Sequence, residues 1–139
     1  MIMTSNDSLK IFIVDDDNFC LSLYEQQLYS LGYDRVSVFN NGYDCINNLS
    51  YQPDIILLDH GMENFNGFEV LKKIKEINPD IYVVFLSGQE DFSIIADTLN
   101  FGAYDFIVKS SEDIINIRSV FEKITSTKAR IKMIKNINL

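Results

Sequence analysis

Three aspartates in this 139-residue chain stand at the ends of apolar runs, where side chains can do chemistry. Asp15 and Asp16 follow the run 11–14, and Asp59 follows the run 55–58. Ser87 closes a third run, and Lys109 closes a fourth. If the runs are strands of one sheet, these groups meet along one edge. Carboxylates drawn to about 4 Å repel by about 4 kcal/mol per pair at an effective dielectric near 20. Lys109 offsets part of that repulsion, and a hard cation offsets more. Mg2+ prefers a few carboxylate oxygens together with water and phosphate, so the set suits Mg2+, or Mn2+, beside a phosphoryl group.

The elements that would position these groups alternate between strand and helix. The run 11–14 precedes Leu21, Tyr24, Leu28 and Leu31 at helical spacing, with Asn18 as the expected N-cap and Gly32 as the stop. Residues 35–39 read as an edge strand with Val36 and Val38 on one face, and 42–49 as a short helix. Pro53 marks entry to the strand 54–59. Phe68, Leu71, Ile74 and Ile77 share one helical face, ended by Asn78-Pro79. A strand over 81–86, a helix over 92–101 closed by Gly102, and a strand over 104–108 follow. The last helix is expected to start at Ser111, with Glu112 and Asp113 favouring its dipole.

Five strand–helix units in succession predict an α/β fold, a parallel sheet covered by helices on both faces. Strands one, three and four are continuously apolar, as double coverage requires. Ligands of such sheets bind beyond the carboxyl ends of the strands, where all the candidate groups lie.

Composition narrows the classes. No apolar run approaches the roughly 20 residues of a membrane span, and residues 1–8 are short, polar and read as disordered. A cytoplasmic location is expected by elimination. Cys20 and Cys45 lack metal or redox spacing and read as core thiols; a single histidine, His60, excludes a His-rich metal site. The segment from Lys128 carries four basic residues and no acid, whereas all 20 acids precede it. So acidic a body is expected to repel nucleic acid. Residues 127–139 read as a basic C-terminal helix extension or a linker.

Taken in order, the motifs resemble the receiver domain of two-component response regulators, of the chemotaxis-regulator type. The resemblance rests on Ile-Val-Asp-Asp-Asp at 13–17, Ile-Ile-Leu-Leu-Asp at 55–59, and Met62 with Asn66-Gly67-Phe68-Glu69. Val84-Phe85-Leu86-Ser87-Gly88 and the stretch from Gly102 to Lys109 complete it, over 9–126. It implies a flavodoxin-like, doubly wound sheet of order 2-1-3-4-5 with five flanking helices. It also implies that Asp59 accepts a phosphoryl group from a sensor histidine kinase or a histidine phosphotransfer protein. Asp15, Asp16, Asp59 and the backbone carbonyl of Gly61 would hold Mg2+. Ser87 would donate to a phosphoryl oxygen, Lys109 would pair with its charge, and Phe106 would be the aromatic that turns inward. The changed surface, around the fourth helix, fifth strand and fifth helix, would engage a downstream protein or output domain. The chain would be a monomer or a phosphorylation-linked dimer, and no enzyme beyond slow self-dephosphorylation.

Five positions depart from or qualify that pattern. Ser110 replaces the proline that usually follows the lysine, so a trans bond and an altered loop are expected. Glu63 replaces another proline. Gly61 and Gly88 leave the approach to Asp59 open, and Gln89 flanks the site as a neutral group able to orient water. Asp17 reads as a solvated acid, and His60 and Met62 as packing residues. Two other readings stay open: a receiver-like scaffold that is never phosphorylated, and an aspartyl-nucleophile phosphohydrolase. The second would need a general acid where Gly61 stands.

Overall fold

A computed structural model describes residues 9–88 and 92–137. The segment 1–8 and Gln89 lie outside the described residues. The chain runs β1 (Lys10–Val14), α1 (Asn18–Ser30), β2 (Arg35–Phe39), α2 (Gly42–Asn47), β3 (Ile55–Asp59) and α3 (Gly67–Ile77). It continues through β4 (Tyr82–Ser87), α4 (Phe92–Asn100), β5 (Asp105–Val108) and α5 (Asp113–Ile137). All pairings are parallel and the order is β2-β1-β3-β4-β5, the flavodoxin-like arrangement expected from sequence.

Alternation along the strands divides the core between two faces. Ile11, Ile13, Ile55, Leu57, Val84 and Leu86 pack with Leu21, Tyr24 and Leu28 of α1 and Ile117, Phe121 and Ile124 of α5. Phe12, Val14, Ile56, Leu58, Val83 and Phe85 face Cys45 of α2 and Val70, Leu71 and Ile74 of α3. Cys45 is wholly buried, and burial pushes its thiol up to about 12. Both cysteines are free. In contrast, α4 buries only Thr98 and leaves Phe92 and Leu99 exposed. A helix with so little buried surface belongs to the low-stability end of the fold.

Several local expectations are corrected. The N-cap of α1 is Asp17, not Asn18; its carboxylate accepts from the Phe19 and Cys20 N–H groups. Asp17 is exposed and outside the carboxylate cluster, as a solvated acid should be, and it caps the helix as well. The buried face of α3 is Gly67, Val70, Leu71 and Ile74, while Ile77 is 52% exposed. Gly67 sets that rotation, because a Cβ there would lie 2.6 Å from the Asp59 carbonyl oxygen. Residues 49–51 form a separate 3-10 turn after α2. In β2, Val38 stays exposed, as an edge position allows.

The basic segment continues α5 without a break to Ile137. Lys128 ties it to the sheet through Asp54 at 2.9 Å and lies over the Tyr82 ring. A groove of about 1070 Å³ beneath this stretch lies at the N-terminal ends of the strands, remote from the acidic cluster.

Candidate functional site

Register brings the candidate groups together. Val14 pairs with Leu58, so the next residues, Asp15 and Asp59, leave adjacent strands side by side. Asp59 pairs with Leu86, which sets Ser87 one step further, and Ser87 pairs with Val108, which delivers Lys109. The Lys109 N–H donates to the Ser87 carbonyl at 2.7 Å, closing this end of the sheet.

One oxygen from each of Asp15, Asp16 and Asp59 lies within 4.8 Å of the others. Asp15 and Asp59 are buried, and Asp16 is exposed. Lys109 Nζ stands 3.1 Å from Asp15 Oδ2 and 3.1 Å from Asp59 Oδ1. The Asp17 N–H donates to Asp15 Oδ1 at 2.9 Å. Burial raises the Asp15 carboxyl above its ordinary value; the Asp17 N–H and Lys109 oppose this, and the Asp59 charge adds to it. For Lys109 burial acts downward, but Asp59 and Asp15 outweigh it and leave the ammonium raised. Three carboxylates against one ammonium leave an excess negative charge at an open strand edge. That donor set fits a small oxygen-seeking cation.

The remaining candidates surround this cluster. Ser87 is buried beside it. Gly61 and Gly88 are exposed; a Cβ at Gly61 would lie 3.9 Å from Asp59 Oδ2 and one at Gly88 would meet nothing within 4 Å. The approach to Asp59 is thus free of side chains from these two positions. Met62 is buried packing. Phe106 is partly buried, with its ring stacked on Phe85 at 6.3 Å between centroids.

The loop without its usual proline is held in other ways. No peptide bond among the described residues is cis. Ser110 Oγ accepts from the Glu112 N–H and the Ser110 carbonyl from the Asp113 N–H. Ser110, not Ser111, therefore serves the first turn of α5. Asp113 in turn accepts a 2.6 Å hydrogen bond from the buried Tyr24 hydroxyl, joining α5 to α1 behind the carboxylates. Burial, then Asp113 itself, raises the Tyr24 phenol. Sequence reasoning placed Tyr24 in the core and missed this bond. The signal available was that a buried tyrosine hydroxyl needs a partner. Tyr24→Phe leaves the Asp113 carboxylate without its donor and should cost about 1.5–3 kcal/mol, read as a lowered urea midpoint at unchanged m-value.

Comparison with known proteins completes the picture. The model of a family described as the response regulator receiver domain matches residues 11–120. The luminescence regulatory protein LuxO of Vibrio campbellii is 30% identical over 101 residues, covering 72% of this chain but 22% of LuxO. The chain thus spans only about a fifth of that relative's length. The chemotaxis protein CheY of Bacillus subtilis is 31% identical over 101 residues, 72% of this chain and 84% of CheY. Among solved structures, a CheX–CheY–BeF3–Mg complex from Borrelia burgdorferi matches with a TM-score of 0.77 at 25% identity, over 85% of this chain and 90% of that one. A response regulator receiver domain protein from Clostridium thermocellum matches in fold with a TM-score of 0.80 at 19% identity, over 88% and 98% of the two chains.

Proposed function

This chain belongs to the response regulator receiver domain family, and from that premise we propose that it accepts a phosphoryl group on Asp59 and thereby switches a partner-binding surface. The observation that carries the reading is Lys109 Nζ at 3.1 Å from both Asp15 and Asp59, with the Asp16 carboxylate completing the cluster. In this reading the donor is a phosphohistidine of a sensor kinase or phosphotransfer protein. An Asp59 carboxylate oxygen bonds to phosphorus, the P–N bond breaks, and the imidazole leaves with the bond's electron pair. Lys109 holds the Asp59 carboxylate in place beforehand and pairs with the phosphoryl charge afterwards. Ser87, buried next to the site, donates its hydroxyl to a phosphoryl oxygen.

Asp15, Asp16 and Asp59, with the Gly61 carbonyl, are the groups that would hold Mg2+ or Mn2+. The ion, when bound, neutralises charge that builds on the phosphoryl oxygens. The Borrelia CheY structure, determined with BeF3 and Mg, supports carrying that ligand pair to this chain. The receiver unit is taken as residues 9–126, with 127–139 as its basic extension. The switching surface is α4, β5 and α5, where α4 is weakly anchored. A downstream protein or an output domain would read that surface. Free cysteines, and no helix among the described residues long and apolar enough to cross a membrane, support a cytoplasmic setting.

Neither rival is favoured by a specific observation. Lys109 reaches both carboxylates despite Ser110, and Gly61 has no side chain to act as a general acid. The test is NMR with beryllofluoride and Mg2+. Resonances of Ser87, Phe106 and Lys109 are expected to shift together; a folded protein with no change at these residues would refute the proposal.

A further inference from the structure

We propose that His60 is a positioning residue that couples the state of Asp59 to the Phe106 ring; this rests on the phosphoacceptor reading above. His60 follows Asp59 directly in the chain, yet its side chain lies among aromatics rather than among the carboxylates. Its ring meets Phe85 edge-on with centroids 5.9 Å apart and lies tilted 6.4 Å from Phe106. Phe85 and Phe106 are themselves 6.3 Å apart. Three rings thus form a closed triangle, each side within the range at which aromatic pairs attract.

The three members are not equally constrained. Phe85 is wholly buried in β4 and has no room to move. His60 and Phe106 are partly buried and share that fixed ring as a common partner. The His60 backbone is pinned. Its N–H donates to the Leu86 carbonyl at 2.9 Å, and α3 presses close enough that a Cβ on Gly67 would lie 3.1 Å from the His60 Cα. A change at Asp59 therefore reaches the next residue chiefly through side-chain rotation. The ring that rotates is in contact with the aromatic expected to switch. Beside the hydroxyl that Ser87 brings to the site in that reading, His60 gives the site a link to Phe106 through its ring. Coupling of this kind is reciprocal, so removing the ring should free Phe106 even in the unmodified protein.

The test compares wild type, His60→Ala, His60→Leu and His60→Phe by NMR, with beryllofluoride and Mg2+ as the probe. Amide spectra establish that each variant is folded, and the 19F signal of bound beryllofluoride reports occupancy at Asp59. In His60→Ala and His60→Leu, occupancy should require beryllofluoride concentrations within about threefold of wild type. The Phe106 ring shift on binding should nevertheless collapse towards that of the free protein. His60→Phe keeps a ring at the same place and should restore the shift. An undiminished Phe106 response in both ringless variants overturns the proposal, as does its loss in step with beryllofluoride binding, or failure of His60→Phe to restore it. If the wild type itself binds no beryllofluoride, the phosphoacceptor reading falls and this inference falls with it.

Discussion

Replacing Lys109 by alanine is expected to destabilise the metal-free protein by about 3 kcal/mol at pH 7, because it strands two buried carboxylates that share one ammonium. The pair geometry is tight, at 3.1 Å to each oxygen, and the carboxylates are far less exposed than the lysine. Losing the cation therefore exposes the full repulsion between Asp15 and Asp59 in a partly desolvated setting. Urea unfolding in EDTA reads the loss directly, and added Mg2+ should narrow the gap by supplying positive charge at the same oxygens. The pH dependence is distinctive. Since Lys109 is raised in the folded state, its contribution is complete below its ordinary value of 10.5 and is lost as pH rises through the higher folded value. Wild type should thus lose more stability in that alkaline window than Lys109→Ala, since both share the losses from the raised Tyr24 phenol and Cys45 thiol.

Asp15→Asn is expected to act in the opposite direction on stability while weakening the cation site. Asp15 is raised in the folded protein, by burial first and then by the Asp59 charge. The stability it contributes is complete below 3.8 and lost as pH rises through the raised folded value. Once the Asp15 carboxyl is ionised, the wild type has lost it. Asparagine cannot ionise, yet it keeps an oxygen to accept from the Asp17 N–H, as Asp15 Oδ1 does at 2.9 Å. The variant should therefore unfold at higher urea than wild type at pH 7 in EDTA, and the advantage should vanish below pH 3.8. The same change removes one of three clustered carboxylates and should weaken Mg2+ binding at least about tenfold, or 1.4 kcal/mol, by titration calorimetry. A site that destabilises its own fold until it is filled is the expected trade between stability and function.

How far such a site is legible in sequence depends on whether its determinants are local. Strand ends were legible because apolar runs stop at Asp15, Asp59, Ser87 and Lys109, and parallel register then aligns those stops without further information. The choice of Asp17 over Asn18 as cap was not. Both side chains can cap, and the decision lies in the backbone, where Asp17 adopts an extended ψ of 109°. The face of α3 was displaced by one residue because Gly67 lets the helix press against the Asp59 carbonyl, a contact invisible to periodicity. The Tyr24–Asp113 bond spans 89 positions and joins two helices that share only the core beneath the sheet. His60 was read as a packing residue. It does pack, but its partners Phe85 and Phe106 come from strands 25 and 46 positions further along the chain. The altered loop expected from Ser110 was legible, but not what holds it: the Glu112 and Asp113 N–H groups donate to Ser110.

The most direct measurement is intact-mass analysis after incubation with acetyl phosphate and Mg2+, on wild type and Asp59→Asn in parallel. Wild type should gain the mass of one phosphoryl group, lose it on treatment with hydroxylamine as an acyl phosphate does, and gain nothing in EDTA. Asp59→Asn, folded by its amide spectrum, should gain none. A wild type that stays unmodified with Mg2+ present, or an Asp59→Asn variant that is labelled equally well, would contradict Asp59 as the phosphoryl acceptor.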